Sequence, residues 1–305
     1  MDDATFIEYL RVKKALDDRS LNRSVWETLV AAMPRAVREQ PWKVLEIGAG
    51  IGTMIQRLIE WDFLHFASYL ALDASSVFLA EARSYLGNWA IRTGFDVQNE
   101  ESSLAIRAAF HDLQIQFIAR EVDLWLATVN PSAEFDLVIA HAFLDLVNLE
   151  TTLPLLLGCL KKGGLFYFTI NFDGLTVMDP PLEGHFDEQI LSLYHRTMEE
   201  RLAGDKPSAG AYSGRRLLGA LRKAGGRLLR AGASDWVIHP VEGNYLSGED
   251  LFLRFLLQMM EESLRERSEI DPARLHDWLE QRFHQIDQRQ LSLIVHQLDF
   301  VGRRG

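Results

Sequence analysis

Apolar and polar positions along the chain alternate between two periods. Short apolar runs of strand length recur at 44–47, 69–73, 115–119, 135–140 and 165–170. They are near-continuous rather than alternating, as strands covered on both faces are. Helical spacing occupies the stretches between and around them: 5–16 and 24–38 before the first run, then 52–61, 76–88, a short helix at 104–111 after a polar loop at 94–103, and a helix that ends in the basic, glycine-closed stop Leu160-Lys161-Lys162-Gly163-Gly164. Beyond 171 the rhythm changes. Pro180-Pro181 breaks the chain, and an amphipathic helix at 186–202 sets Phe186, Ile190, Leu193, Tyr194 and Met198 largely on one face. A loop at 204–214 leads to a helix at 213–224 with Ser213 as its expected N-cap. A strand at 227–239 follows, then a helix at 248–266 that is apolar nearly all round in its first half. Asp271-Pro272 restarts a helix to 286, and 291–301 closes as a last strand. Strands alternating with helices predict an α/β fold, a doubly wound and mostly parallel sheet with helices on both faces.

The first strand and its turn read Val44-Leu45-Glu46-Ile47-Gly48-Ala49-Gly50-Ile51-Gly52-Thr53. Three glycines make a turn with no side chain to block a ligand, and the helix after it aims its amide-rich end at whatever lies above. A phosphate loop would end in Gly-Lys-Ser/Thr, which is absent. A dinucleotide fingerprint would place its third glycine where Thr53 stands. The second run ends in Asp73, 21 residues after Gly52, followed by Ala74 and Ser75. A carboxylate at the carboxyl end of the neighbouring strand can accept two ribose hydroxyls, the reading favoured here; the alternative is that it caps the next helix, a role for which Ser75 is the better candidate.

The pattern Glu46-x-Gly48-x-Gly50-x-Gly52 resembles the first motif of the class I S-adenosylmethionine-dependent methyltransferases. Four further stretches are similar to that family in order: the strand ending at Asp73, the strand running to Asp123, Phe135-Asp136-Leu137-Val138, and Leu160–Phe168 with its paired glycines. The resemblance covers 44–171 and is much weaker outside it. It implies a Rossmann-like seven-stranded sheet of order 3-2-1-4-5-7-6, with helical caps. It also implies S-adenosylmethionine as the methyl donor, S-adenosylhomocysteine as product, and a small-molecule acceptor. The donor site is then Glu46, Gly48, Ala49, Gly50, Gly52, Thr53, Asp73 and Ala74, with Val122, Asp123 and Leu124 around the adenine and Ala140 beside it. His141, Phe143 and Asp145 follow the fourth strand, where the family places catalytic or substrate-facing groups. The domains expected are an N-terminal helical cap at 1–40, a donor-binding core at 41–171, a cap insertion at 172–212, and the rest of the sheet at 213–305 with a helical insertion at 240–290.

Composition changes this picture little. The 305 residues are 48% hydrophobic and 25% charged, ordinary for a globular chain. A net charge of −11, from 32 basic and 43 acidic residues, argues against a broad nucleic-acid footprint. The single Cys159 excludes an internal disulfide and sits on an apolar helix face, as a buried thiol would. No secretory segment or bilayer-length apolar run is evident, and a cytoplasmic protein without membrane contact is expected. The apolar stretch 251–260 must bury against a cap, a second subunit, or both, so a homodimer is also an expectation.

Methyl transfer from a sulfonium chiefly requires the two reactants to be held about 3 Å apart in a dry pocket. A base matters only if the acceptor must lose a proton. His141 is the candidate, with Asp145 four residues on to orient it or to bind an amine; the alternative is that His141 only packs near the donor. Asn171, Tyr194 and Tyr212 are candidate acceptor contacts. In the N-terminal cap, Tyr9, Arg11, Lys14, Arg19 and Asn22 could reach donor or acceptor, with Arg19 chosen as a donor contact. Two rival readings keep the fold: a protein that binds the donor or its product for regulation, and a nicotinamide-dependent oxidoreductase.

Overall fold

The structure, a computed structural model, describes residues 1–128, 133–182 and 185–305. Among the described residues ten strands form one sheet. Its parallel centre comprises β1 (Trp42–Ile47), β2 (Phe66–Asp73), β5 (His111–Ala119), β6 (Phe135–His141) and β7 (Leu160–Asp179). A hairpin of β3 (Asp96–Asn99) and β4 (Ser103–Ala108) adds to one edge. A small separate hairpin pairs β8 (Leu202–Ala203) with β9 (Lys206–Pro207). Towards the other edge lie β10 (Gly226–Ala233), β11 (Trp236–Ile238) and β12 (Ser292–Arg304). The order across the sheet is β10-β12-β7-β6-β1-β2-β5-β4-β3, with β11 on β12. Counting only the seven expected strands, this is 3-2-1-4-5-7-6. β12 is antiparallel to both of its main neighbours. The fold is Rossmann-like, extended by the hairpin beyond the third strand.

That hairpin corrects the sequence reading, which placed a loop at 94–103 and a helix at 104–111. Leu104 and Ile106 are fully buried, and Ser103–Ala108 pairs antiparallel with β5. The strand is too short for its period of two to stand out among alanines and charges, and its pairing decides the outcome. Three boundaries also move. The helix expected at 24–38 stops at Ala32, because Pro34 disfavours helical backbone in the residue before it. β7 runs on to Asp179 along β12, so the first part of the 172–212 segment belongs to the sheet. Ser213 is the first residue of its helix rather than its cap, and its hydroxyl donates to the Phe172 carbonyl at 3.1 Å.

Helices cover both faces. On one side are α2 (Arg23–Ala32), α3 (Thr53–Glu60) and α4 (Ser76–Arg92), whose Leu29, Leu58 and Leu86 join Tyr69, Leu113 and Ile139 of the sheet. On the other are α5 (Val122–Thr128), α6 (Leu149–Cys159) and α8 (Ser213–Lys223), packing Trp125, Leu153 and Leu217 with Leu45, Val138 and Phe166. Cys159 is buried there, and burial pushes its thiol up to about 11. A third apolar cluster joins α1 (Asp3–Ser20), α7 (Phe186–Glu199), α9 (Glu249–Leu264) and α10 (Pro272–Asp287) to the far end of β7 and the start of β12. The apolar run of α9 is covered by α1, α7 and α10 of the same chain. Among the described residues no helix is long and apolar enough to cross a membrane.

Candidate functional site

A cavity of about 860 Å³ opens where β1, β2, β5 and β6 end, and continues under α1, α7 and α9. Its floor is the turn between β1 and α3. Gly48, Gly50 and Gly52 have φ of +66°, +51° and +77°, the region that glycine adopts without a Cβ penalty. At Gly48 a Cβ would stand 2.2 Å from Phe143 Cδ2, so the glycine is needed for packing as well as for its turn.

Asp73 closes this end. Its Oδ2 accepts from the Gly50 amide at 2.8 Å and its Oδ1 from the Ser75 amide at 2.9 Å. Burial raises its pKa, against these backbone bonds. Each oxygen keeps further acceptor capacity, in a fixed orientation. Ser75 takes the capping role, accepting from the Phe78 amide. Glu46 lies buried beneath the glycines, in the cavity wall, and accepts from the Tyr69 hydroxyl at 2.8 Å. Burial pushes it up to about 8, so it is a neutral acid at pH 7.

The cavity also receives an ionic group that the sequence reading missed. α1 turns Phe6, Tyr9, Leu10, Lys13 and Asp17 inward along one helical face. Lys13 and Asp17 are buried and 2.5 Å apart. Asp17 accepts from Trp236 Nε1 on β11 at 2.9 Å and lies 2.9 Å from His141 Nε2 at the end of β6. His141 Nδ1 meets the Thr169 hydroxyl at 2.8 Å. Burial drives His141 down to about 4 despite its Asp17 partner, so the ring is neutral. An ionised carboxylate can only accept, so Nε2 carries the proton and Nδ1 accepts from Thr169. Asp17 itself is held well below the usual carboxylate range: burial opposes this, but Lys13 and His141 outweigh it. Burial lowers Lys13, and Asp17 counters that.

Asp145 therefore does not orient His141. It faces Arg201 at 3.6 Å instead, and burial pushes it up to about 6 against that guanidinium. Tyr9 and Tyr194 line the same chamber, and burial raises both phenols.

Of the expected donor residues, Glu46, Gly48, Ala49, Gly50, Thr53, Asp73, Ala74, Val122 and Asp123 line the cavity, as do His141, Phe143, Asp145 and Tyr194. Asp123 also accepts from the Thr152 hydroxyl at 3.0 Å. Other expected residues do not line it. Gly52 packs at the start of α3 against Leu86, and Ala140 is sealed within β6. Leu124 faces solvent on the outer side of α5. Asn171 donates to the Leu298 carbonyl, and Tyr212 lies over Gly174 in a separate depression. Arg19 pairs with Glu249 and the Val237 carbonyl, because α1 turns it towards α9. Arg11 and Lys14 point outward to Glu81 and to Asp18 and Glu60, and Asn22 caps α2.

No protein-family model and no curated protein matches the chain. Among solved structures it is similar to the YcgJ protein of Bacillus subtilis (11% identity, 92% of this chain and 97% of that one, TM-score 0.47). It is also similar to geranyl diphosphate C-methyltransferase from Streptomyces coelicolor A3(2), in complex with Mg2+, geranyl diphosphate and S-adenosyl-L-homocysteine (9%, 92% and 79%, TM-score 0.43). A third is Haemonchus contortus phosphoethanolamine N-methyltransferase 2 in complex with S-adenosyl-L-methionine (13%, 92%, TM-score 0.42), of which this chain spans about half, 52%. Likeness at this level transfers no residue roles.

Proposed function

We propose that the chain is an S-adenosylmethionine-dependent methyltransferase acting on a small molecule. The observation that carries this reading is one cavity joining two unlike chambers. The first is a side-chain-free glycine floor beside a fixed carboxylate, Asp73, at the carboxyl end of the second strand. The second is an aromatic chamber with ionisable groups, under α1 and α7. A volume of about 860 Å³ is near the upper end for single-ligand pockets. It suits a donor and a small acceptor together.

The residues present fit the donor. Gly48, packed against Phe143, keeps the backbone of the cavity floor bare of side chain. Asp73, pinned by two amides, offers both oxygens to a ribose diol, and Val122 and Asp123 border the adenine position. Bound there, S-adenosylmethionine supplies an electrophilic methyl group on a positively charged sulfur, which leaves as a neutral thioether with its electron pair. The chain's own part is to hold the acceptor in line and keep water out. Phe6, Tyr9 and Leu10 of α1 close the chamber. His141 has both ring nitrogens engaged and acts as a positioned wall rather than a free base. Asp145, titrating near neutrality, is the group able to receive an acceptor proton.

Calorimetric titration with S-adenosylmethionine and S-adenosylhomocysteine tests the reading, with Asp73→Ala alongside. Both ligands are expected to bind, and the substitution to weaken them by about 1–3 kcal/mol, the scale of lost charged hydrogen bonds. No heat with either ligand, or binding of NAD instead, would sink it.

A further inference from the structure

The opposite end of the sheet carries a second cluster that the donor site does not use. His65 immediately precedes β2 and His111 opens β5. The two strands are parallel and paired Phe66 with Asp112, so one step back sets His65 beside His111. The Asp112 amide donates to the His65 carbonyl at 2.8 Å, fixing that register. Neighbouring strands lie about 4.8 Å apart and aligned positions share a face. The two imidazole rings accordingly lie 4.8 Å apart, centre to centre. Asp62, in the turn that closes α3, completes the group: His65 Nε2 lies 2.9 Å from its carbonyl oxygen, a bond a metal would displace, and 3.5 Å from its Oδ1. One ligand atom from each of the three residues lies within 4.8 Å of the others.

His111 Nε2 is the independent sign. It is buried and has no hydrogen-bond partner among the described residues. Buried polar atoms are nearly always paired, and an orphan calls for an explanation such as an ion. The ring cannot easily turn away, because Phe95 packs edge-on against it at 5.2 Å. Asp112 is not part of the set, since Arg38 and Arg107 hold it from outside.

We infer that Asp62, His65 and His111 form a binding site for a divalent transition metal of the zinc class. Two imidazoles and one carboxylate suit zinc, cobalt or nickel and not magnesium or calcium, which take oxygen ligands. Ligand atoms around tetrahedral zinc stand about 3.3 Å apart. Asp62 Oδ1 already stands near that spacing from His65, and its exposed side chain is free to adjust. The ion would clasp the amino ends of β2 and β5 to the turn after α3. That place is about 25 Å along the strands from the glycine floor, from the rise per residue, so the inference is independent of the proposed activity.

The test uses the full chain, dialysed against chelator and titrated with ZnCl2 and separately with MgCl2. One zinc per chain is expected, with no magnesium response. Asp62→Asn lies at the surface and leaves the fold intact; it is expected to weaken zinc at least about tenfold. His111→Ala is expected to abolish binding, its melting curve without metal confirming that it is folded. His185→Ala, at an exposed histidine outside the cluster, is expected to change nothing. Absence of zinc binding, zinc binding indifferent to Asp62→Asn and His111→Ala, or an equal magnesium response would each overturn the site.

Discussion

At the scale of single residues, Glu46 shows how far position outweighs residue type. Two places before a glycine turn, it reads as a solvated acid available to a ligand; in the fold it is buried in the cavity wall and held up to about 8 against an ordinary value of 4.5. Between those values the unfolded chain has released this proton while the native state keeps it. The group therefore costs nothing at low pH, destabilises increasingly as pH rises through that window, and reaches its full cost above about 8. Glu46→Gln keeps the acceptor for Tyr69 and removes the titration. Melting temperatures of variant and parent are expected to coincide below pH 4.5 and to diverge in the variant's favour up to about pH 8. A difference that stays flat with pH would refute the assignment. Lys13 and Asp17 show the converse. In Lys13-Lys14 and Asp17-Asp18 the sequence offers two of each charge, and the small rotation that chooses the inward member is set by packing on α9 and β11. Charges at 13 and 17 read as solvated until Trp236, 219 residues from Asp17, is in place.

At the scale of elements, the apolar strands and their glycine turn were legible because each motif is local: an apolar run, a turn that needs positive φ, an acid at the strand's end. The β3–β4 hairpin was not legible, since its evidence is a pairing with β5. The turn itself can be probed by substitution. Gly48→Ala meets both a left-handed backbone, worth about 1–2 kcal/mol, and the Phe143 ring at 2.2 Å. Gly94 has φ of +88° but open space around the missing Cβ. Urea unfolding is expected to find Gly48→Ala clearly the more destabilising of the two, with donor binding lost only there. Equal costs would mean that Phe143 simply moves aside.

At the scale of the whole molecule, the sheet carries unlike features at its two ends, a large cavity at the carboxyl end and the histidine cluster at the amino end. Residues contributed to the cavity by α1, α7 and β11 come from segments far apart in sequence, which is why a contiguous core was readable and its covering was not. α1 lies over the glycine turn, with Leu10 Cδ1 3.4 Å from where a Gly50 Cβ would be. Ion pairs tie the helix down: the half-exposed Arg11 to Glu81 on α4, and the more buried Lys14 to Glu60 and Asp18 to Arg57 on α3 and Arg19 to Glu249 on α9. If ligands enter the cavity past this helix, capture waits for the helix to lift. Stopped-flow association should then saturate with ligand concentration at the opening rate. Added salt, which screens the exposed Arg11–Glu81 pair most, should raise that ceiling, whereas a rate that climbs linearly without limit would mean that the door was never shut.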